Sequence, residues 1–460
     1  MSSSIKWLVR KWLARVFLTA ICAGALAWPA RAGNEALLLI DVETGKVLRA
    51  ENATYPWYPA STSKLMTTYV TLQAVKDGRI TFDTLLTVSP NAVAQSPSKM
   101  GFRAGIQVTV DNALKMLLVH SANDIAVVLA EGISGSIEKF ADEMNATSQR
   151  LGMTQSSWVN PNGLPAEGQI TSARDLGILA RALMHDFPQY DFYWHIPAIK
   201  FGRRVMRNYN KLLADYPGAD GMKTGFICSS GFNLVASATR GNRRLIAVVL
   251  GAPSSAVRTT KAASMLEHGF NGAMLTWLMP SLGTVDALQP INAAPPDLHD
   301  QVCGPHRKRP AAEDEDDDAA ANADNDAEHA LMLSDLKGAT RGPLLTGNPL
   351  AAVPPMVVYV GPKRATVQAS AEDDAAVISA KPHKKRGKVA ATAKDAPAKA
   401  AGAKANGAKT GDGKTGESKA HGTKPAGTKA GGPKADATKP TAPASATVTS
   451  VKPKAATSPQ

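Results

Sequence analysis

Pro59-Ala-Ser-Thr-Ser-Lys-Leu-Met-Thr67 is the stretch on which the fold turns. A proline and a small residue deliver Ser61 to a segment in which Leu65, Tyr69, Leu72 and Val75 recur at helical spacing. Ser61 and Lys64 therefore lie one turn apart on one face, at a helix N-terminus whose dipole favours developing negative charge. A serine hydroxyl is a poor nucleophile until a base takes its proton. A lysine serves as that base when desolvation or a neighbouring cation lowers its pKa.

Ser-x-x-Lys alone is a weak signal, since it also begins at Ser3, Ser96, Ser136 and Ser334. Two further motifs follow in order, Ser121-Ala-Asn123 and Lys223-Thr-Gly225. They recur too: Ser-x-Asn at Ser89, and Lys-Thr-Gly at Lys409 and Lys414, where the composition supports no fold. Order and context select Ser61, Ser121 and Lys223. In that set Lys64 takes the proton of Ser61, Ser121 relays a proton to a leaving amine, and Asn123 fixes Lys64 and meets a substrate amide. Lys223 and Thr224 offer a cation and a hydroxyl to a substrate carboxylate. The backbone N–H groups of Ser61 and of Phe226, next after Gly225, are placed to hold an oxyanion.

Outward from these motifs the pattern is strands, helices, then strands. Ala36 to Asp41 and Lys46 to Ala50 flank Glu43-Thr-Gly45 as a hairpin. Leu176 to Leu183 and Thr259 to Leu278 read as helices, and Asn233 to Ala238 and Leu245 to Leu250 as strands joined through Arg240-Gly-Asn242. The fold class is α+β: an antiparallel sheet flanked by helices, terminal strands beside the later ones, with a helical cluster inserted between.

Composition divides the 460 residues. Lys6, Arg10, Lys11 and Arg15 precede an apolar run from Val16 to Trp28 and then Ala30-Arg-Ala32, the pattern of a secretory signal over 1–32. A catalytic domain occupies 33–280. Residues 281–380 form an acidic, proline-rich linker with one short apolar island, Met356-Val-Val-Tyr-Val360, and 381–460 a disordered tail of Lys, Ala, Gly, Pro and Thr. That tail holds 17 basic and 4 acidic residues, a net of +13 that equals the charge of the whole chain. The folded part is near neutral. An anionic wall polymer or membrane surface is a candidate tail partner, as is none at all; nucleic acid is not expected for an exported chain.

Of three cysteines, Cys22 leaves with the signal. Cys228 and Cys303 could pair in an oxidising compartment, or Cys228 could stay a free thiol beside the site. There is no His-Glu-x-x-His or Cys-x-x-Cys and the nine histidines are scattered, so neither a metal nor another cofactor is expected.

The chain resembles the low-molecular-mass penicillin-binding proteins that are serine-type D-alanyl-D-alanine carboxypeptidases. The likeness runs from about Ala36 to Phe270 through Pro59–Thr67, His120-Ser-Ala-Asn-Asp124, Asn160-Pro-Asn-Gly-Leu164, Thr171-Ser-Ala-Arg-Asp175 and Asp220-Gly-Met-Lys-Thr-Gly-Phe226. It implies a serine β-lactamase/DD-transpeptidase-like fold, cleavage of terminal D-alanine from peptidoglycan stem peptides, and acylation by β-lactam antibiotics. It implies Ser61 as acyl-ester nucleophile, Lys64 as proton acceptor, Ser121 and Asn123 as the second catalytic element, and Lys223, Thr224, Gly225 and Phe226 at the substrate. Arg258, at the family's spacing from Lys223, is a second carboxylate contact or else a helix-start surface arginine. The implied location is the periplasm or the wall face of the cytoplasmic membrane.

The same residues suit a D,D-endopeptidase on cross-links or a β-lactamase, and a non-catalytic wall-binding protein is the remaining alternative. Class A β-lactamases deacylate through a glutamate beyond the Ser-x-Asn element. Here Ser156-Ser-Trp-Val-Asn-Pro-Asn-Gly163 carries none, so slow turnover of bound penicillin is expected. Family members often end in a small β-sandwich and an amphipathic helix; a linker and a lysine-rich tail stand in that place.

Overall fold

The computed structural model describes residues 35–271, 281–305 and 347–362. The expected signal segment and basic tail lie outside them. Five strands make one antiparallel sheet: β1 Ala36–Asp41, β2 Val47–Glu51, β7 Ala219–Ile227, β8 Gly231–Arg240 and β9 Arg243–Ala252, in the order β2-β1-β9-β8-β7. The terminal hairpin thus lies beside the last strands, as expected, and β7 is left as an edge.

The central strands are apolar on both faces because both faces are covered. Leu38 and Ile40 of β1 pack at Gly177 in the helix Ala173–Asp186, whereas Leu39, between them, packs at Gly269 in the helix Ser255–Asn271. Successive side chains of a strand point to opposite faces. Each fully buried side chain of this kind contributes about 1.5–3 kcal/mol. The Ser255–Asn271 helix starts earlier than Thr259, and residues 272–278 of the expected helix lie outside the described residues.

Between β2 and β7 sits the inserted cluster, built from the helices Lys64–Lys76, Val110–Val119, Asn123–Ser134 and Ile137–Leu151. Thr109, Ser136 and Ser172 cap their helices by accepting from the N–H groups of Asn112, Lys139 and Asp175. Two small ladders border it: β3 Leu85–Thr87 with β4 Gln107–Thr109, and β5 Ala198–Phe201 with β6 Arg204–Arg207. Among the described residues no helix is long and apolar enough to cross a membrane.

Parts of the expected linker pack on this body. Val285, Leu298 and Val302 are buried, and the N–H of Leu298 donates to the carbonyl of Ser229. Met356–Val357 forms strand β10, parallel to β5, while the N–H of Gly361 donates to the carbonyl of Gln107. The apolar island is therefore a strand of a three-stranded sheet. The free-thiol alternative for Cys228 is corrected: Cys228 is joined to Cys303, with Cα atoms 5.6 Å apart. Burial of Leu298 and Val302 carries Cys303 to the β7–β8 turn, a tertiary contact that composition does not reveal.

Candidate active site

Ser61 sits in the single helical turn Ala60–Ser63 that opens the helix Lys64–Lys76. The turn is pinned from within: the Thr62 and Ser63 hydroxyls donate to the carbonyls of Pro59 and Ala60. Ala60 has a left-handed φ of 49°, uncommon for a residue with a side chain. It is held there by Gly163, where a Cβ would lie 1.8 Å from the carbonyl oxygen of Ala60. No side chain fits at 163.

Lys64 is wholly buried, and its Nζ lies 2.8 Å from Ser61 Oγ, 2.7 Å from Asn123 Oδ1 and 2.7 Å from the carbonyl oxygen of Asn162. Three elements thus converge on one amine. Asn123 opens the helix Asn123–Ser134 with its N–H on the carbonyl of Ser98 and its Nδ2 on the carbonyls of Ser96 and Pro97. The amide is thereby turned so that only its oxygen faces Lys64. Asp124, next along, receives the N–H groups of Met100, Gly101 and Ile125; burial pushes its carboxyl pKa up despite those donors. Asp124 ties the 96–101 loop to the same helix.

Ser121 lies between two helices at a left-handed φ of 57°. Its Oγ is buried and has no hydrogen-bond partner among the described residues. Thr224 Oγ1 is in the same condition. Two buried hydroxyls without partners are costly unless a ligand meets them.

Edge strand β7 brings Lys223, Thr224, Gly225 and Phe226 to the serine turn. A Cβ on Gly225 would lie 2.9 Å from the backbone nitrogens of both Ser61 and Thr62, so the two backbones touch where a side chain would stand. Lys223 is buried, its Nζ donating to the carbonyl of Thr224 at 3.0 Å. Phe226 is half-buried against Phe232, ring centroids 4.3 Å apart. Arg258 is 1% exposed, which excludes the surface-arginine alternative. Its guanidinium donates to the carbonyls of Asn233 and Tyr209 and to Ser255 Oγ.

Sequence patterns did not single out the residues that brace these. Asn233 donates through Nδ2 to the carbonyls of Tyr58 and Pro59, fixing the serine turn to β8. Asn162 donates to Gln95 Oε1 at 2.8 Å while its own carbonyl holds Lys64. Asn162 belonged to a matching stretch, but no spacing rule links it to Lys64, 98 positions away.

A half-buried serine held by a buried lysine, beside an edge strand that carries a buried lysine and a partnerless threonine hydroxyl, is suited to acyl transfer. The family described as D-alanyl-D-alanine carboxypeptidase matches residues 26–254. The D-alanyl-D-alanine carboxypeptidase DacC of Escherichia coli is 38% identical over 242 residues, 51% of this chain and 60% of that protein. DacB2 of Mycobacterium tuberculosis, under the same description, is 32% identical over 247 residues, 51% of this chain and 81% of that protein. The chain spans about 60% of the length of the Escherichia coli relative. Among solved structures, penicillin binding protein 6B from Escherichia coli aligns with a TM-score of 0.50 at 37% identity, covering 53% of this chain and 79% of that one. The DacD carboxypeptidase from Francisella tularensis aligns at 0.50 and 30%, covering 54% and 75%.

Proposed function

The chain belongs to the D-alanyl-D-alanine carboxypeptidase family, and on that premise we propose that it removes the terminal D-alanine from peptidoglycan stem peptides through an acyl-serine intermediate. The observation that carries this is the 2.8 Å contact between Lys64 Nζ and Ser61 Oγ, with Asn123 and Asn162 holding the amine from two other sides. Lys64 accepts the Ser61 proton as Oγ attacks the carbonyl carbon of the penultimate D-alanine. The oxyanion rests between the N–H groups of Ser61 and Phe226; the close pass of β7 at Gly225 supports that placement. Ser121 Oγ then relays that proton from Lys64 to the leaving amine of the terminal D-alanine as the amide bond breaks, and water hydrolyses the Ser61 ester to release the shortened peptide.

The substrate carboxylate takes the open hydroxyl of Thr224 and the charge of Lys223, with Arg258 adding a second positive charge. β-Lactams acylate Ser61 in the same way. The Asn160–Gly163 loop presents a backbone carbonyl to Lys64 where a deacylating enzyme needs a carboxylate, so the adduct should persist for many minutes rather than turn over each second. Export to the periplasm, with a role in peptidoglycan maturation and cell shape, fits the leader-like N-terminus and the Cys228–Cys303 disulfide. The basic tail supplies a salt-sensitive hold on the anionic wall or membrane face. The test is labelling by a fluorescent penicillin: wild type should label and Ser61→Ala should not. Labelling that survives Ser61→Ala would remove Ser61 from its role.

A further inference from the structure

We propose that the β5–β6 hairpin is a second binding surface, for the carboxylate ends of neighbouring stem peptides on a polymeric substrate; this rests on the carboxypeptidase reading above. Lys200, Arg203, Arg204 and Arg207 stand on eight consecutive residues, all four exposed. Their backbones join the ladder, but none of the four side chains makes a hydrogen bond or ion pair with any described residue. This contrasts with the other exposed or half-exposed arginines of the sheet, where Arg240 pairs with Glu267 and Arg244 with Asp191 and Asp220.

The hairpin's own pattern shows why these charges are gathered. Ile199, Phe201 and Met206 fill its buried face. In register, Ala198 opposes Arg207 and Lys200 opposes Val205, so Lys200, Val205 and Arg207 share the outer face. Strand β10 extends that face, since Val357 pairs with Lys200. Val205 and Val357, 50% and 44% exposed, give it apolar ground between the cations. Lys200 and Arg207 beside two open valines on this face, with Arg203 in the connecting turn and Arg204 next to it, fit a partner with repeated carboxylates and small apolar groups.

The proposed reaction itself makes its substrate such a partner. Every uncrosslinked stem ends in a free carboxylate before cleavage, and again after it, beside alanine methyl groups. A glycan bearing many stems is therefore a polyanion. The hairpin is also well placed to meet the next stem. It runs directly into Tyr209, whose hydroxyl lies 3.3 Å from Ser98 Oγ and 3.5 Å from His120 Nδ1, and whose carbonyl takes Arg258. Ser98 and His120 flank the Asn123 and Ser121 corner of the site.

The experiment compares the full chain with its Arg203→Ser/Arg204→Ser/Arg207→Ser variant, following D-alanine release from soluble polymeric peptidoglycan and from an isolated short stem peptide. The expected result is a roughly five- to tenfold fall in kcat/KM on polymer only, with the wild type dropping to the variant's level in 0.5 M salt on the order of a few-ångström screening length. Equal rates on polymer, or an equal loss on both substrates, would overturn the proposal. So would unchanged polymer turnover with lost binding to phosphatidylglycerol vesicles, which would assign the surface to lipid. Co-sedimentation with insoluble peptidoglycan in a Ser61→Ala background reads the surface without catalysis. If wild type releases no D-alanine from either substrate, the carboxypeptidase reading fails, whereas retained sedimentation that depends on the three arginines still supports the surface.

Discussion

Asn123 has its amide nitrogen committed to the carbonyls of Ser96 and Pro97, which leaves its oxygen for Lys64. Gln95, one residue earlier on that loop, receives the amide of Asn162, the residue whose carbonyl is the third partner of Lys64. Four consecutive residues, Gln95 to Ser98, thus set both side partners of the amine. Gln95→Ala should slow acylation roughly tenfold with little change in melting temperature, and Gln95→Glu, which keeps the acceptor, should recover most of it. Gly225→Ala should leave a folded protein whose penicillin acylation is slower by about a hundredfold, because the new methyl meets the backbone at Ser61 and Thr62. Stopped-flow or gel labelling measures both. Ser61, Lys64, Ser121, Asn123, Lys223 and Thr224 could be named as candidates because each belongs to a short motif with a chemical reason for its spacing, and the structure brings Ser61, Lys64 and Asn123 together. Asn162, Gln95 and Asn233 were not, since they act on partners distant in sequence, through a backbone carbonyl for Asn162 and Asn233 and a side-chain amide for Gln95, which no local pattern records.

At the scale of elements, β1 was read to the residue, and β8 and β9 were read as cores that the structure lengthens at both ends. Alternation and apolar runs report burial, which ends before hydrogen bonding does. The site is a joint between two elements of different kinds, edge strand β7 and a helical turn, and Asn233 on the neighbouring β8 fixes that turn to the sheet. The docked segment around 285–303 was hidden by its proline-rich composition, because only a few of its side chains are buried, whereas the one around 347–361 was marked by its apolar island Met356–Val360. The disulfide closes a loop of 75 residues, for which chain entropy gives about 4 kcal/mol of stabilisation. Cys303→Ser should therefore lower the melting temperature by roughly 5–15 °C, as read by calorimetry under non-reducing conditions. Adding reductant should bring wild type down to the variant and leave the variant unmoved.

For the whole molecule, charge is divided between a near-neutral body and a tail of net +13. Within the body, acid stability rests on groups such as Glu267. Burial acts to raise its pKa, but hydrogen bonds from Arg240, Asn271 and Tyr216 outweigh burial and hold it below the ordinary 4.5. A carboxyl depressed in the folded state adds stability above its unfolded pKa and loses it as pH falls through the folded value. Glu267→Gln should thus melt lower than wild type near pH 7, with the gap closing below about pH 4 in a series of thermal melts. The chemistry proposed for Ser61 decides what all of this serves. The most direct measurement is the mass of the products formed from an isolated pentapeptide stem and from a cross-linked muropeptide dimer. Loss of one alanine from the pentapeptide, absent with Ser61→Ala and with the dimer left intact, is the predicted result. A surviving pentapeptide alongside dimers cut to monomers would contradict it.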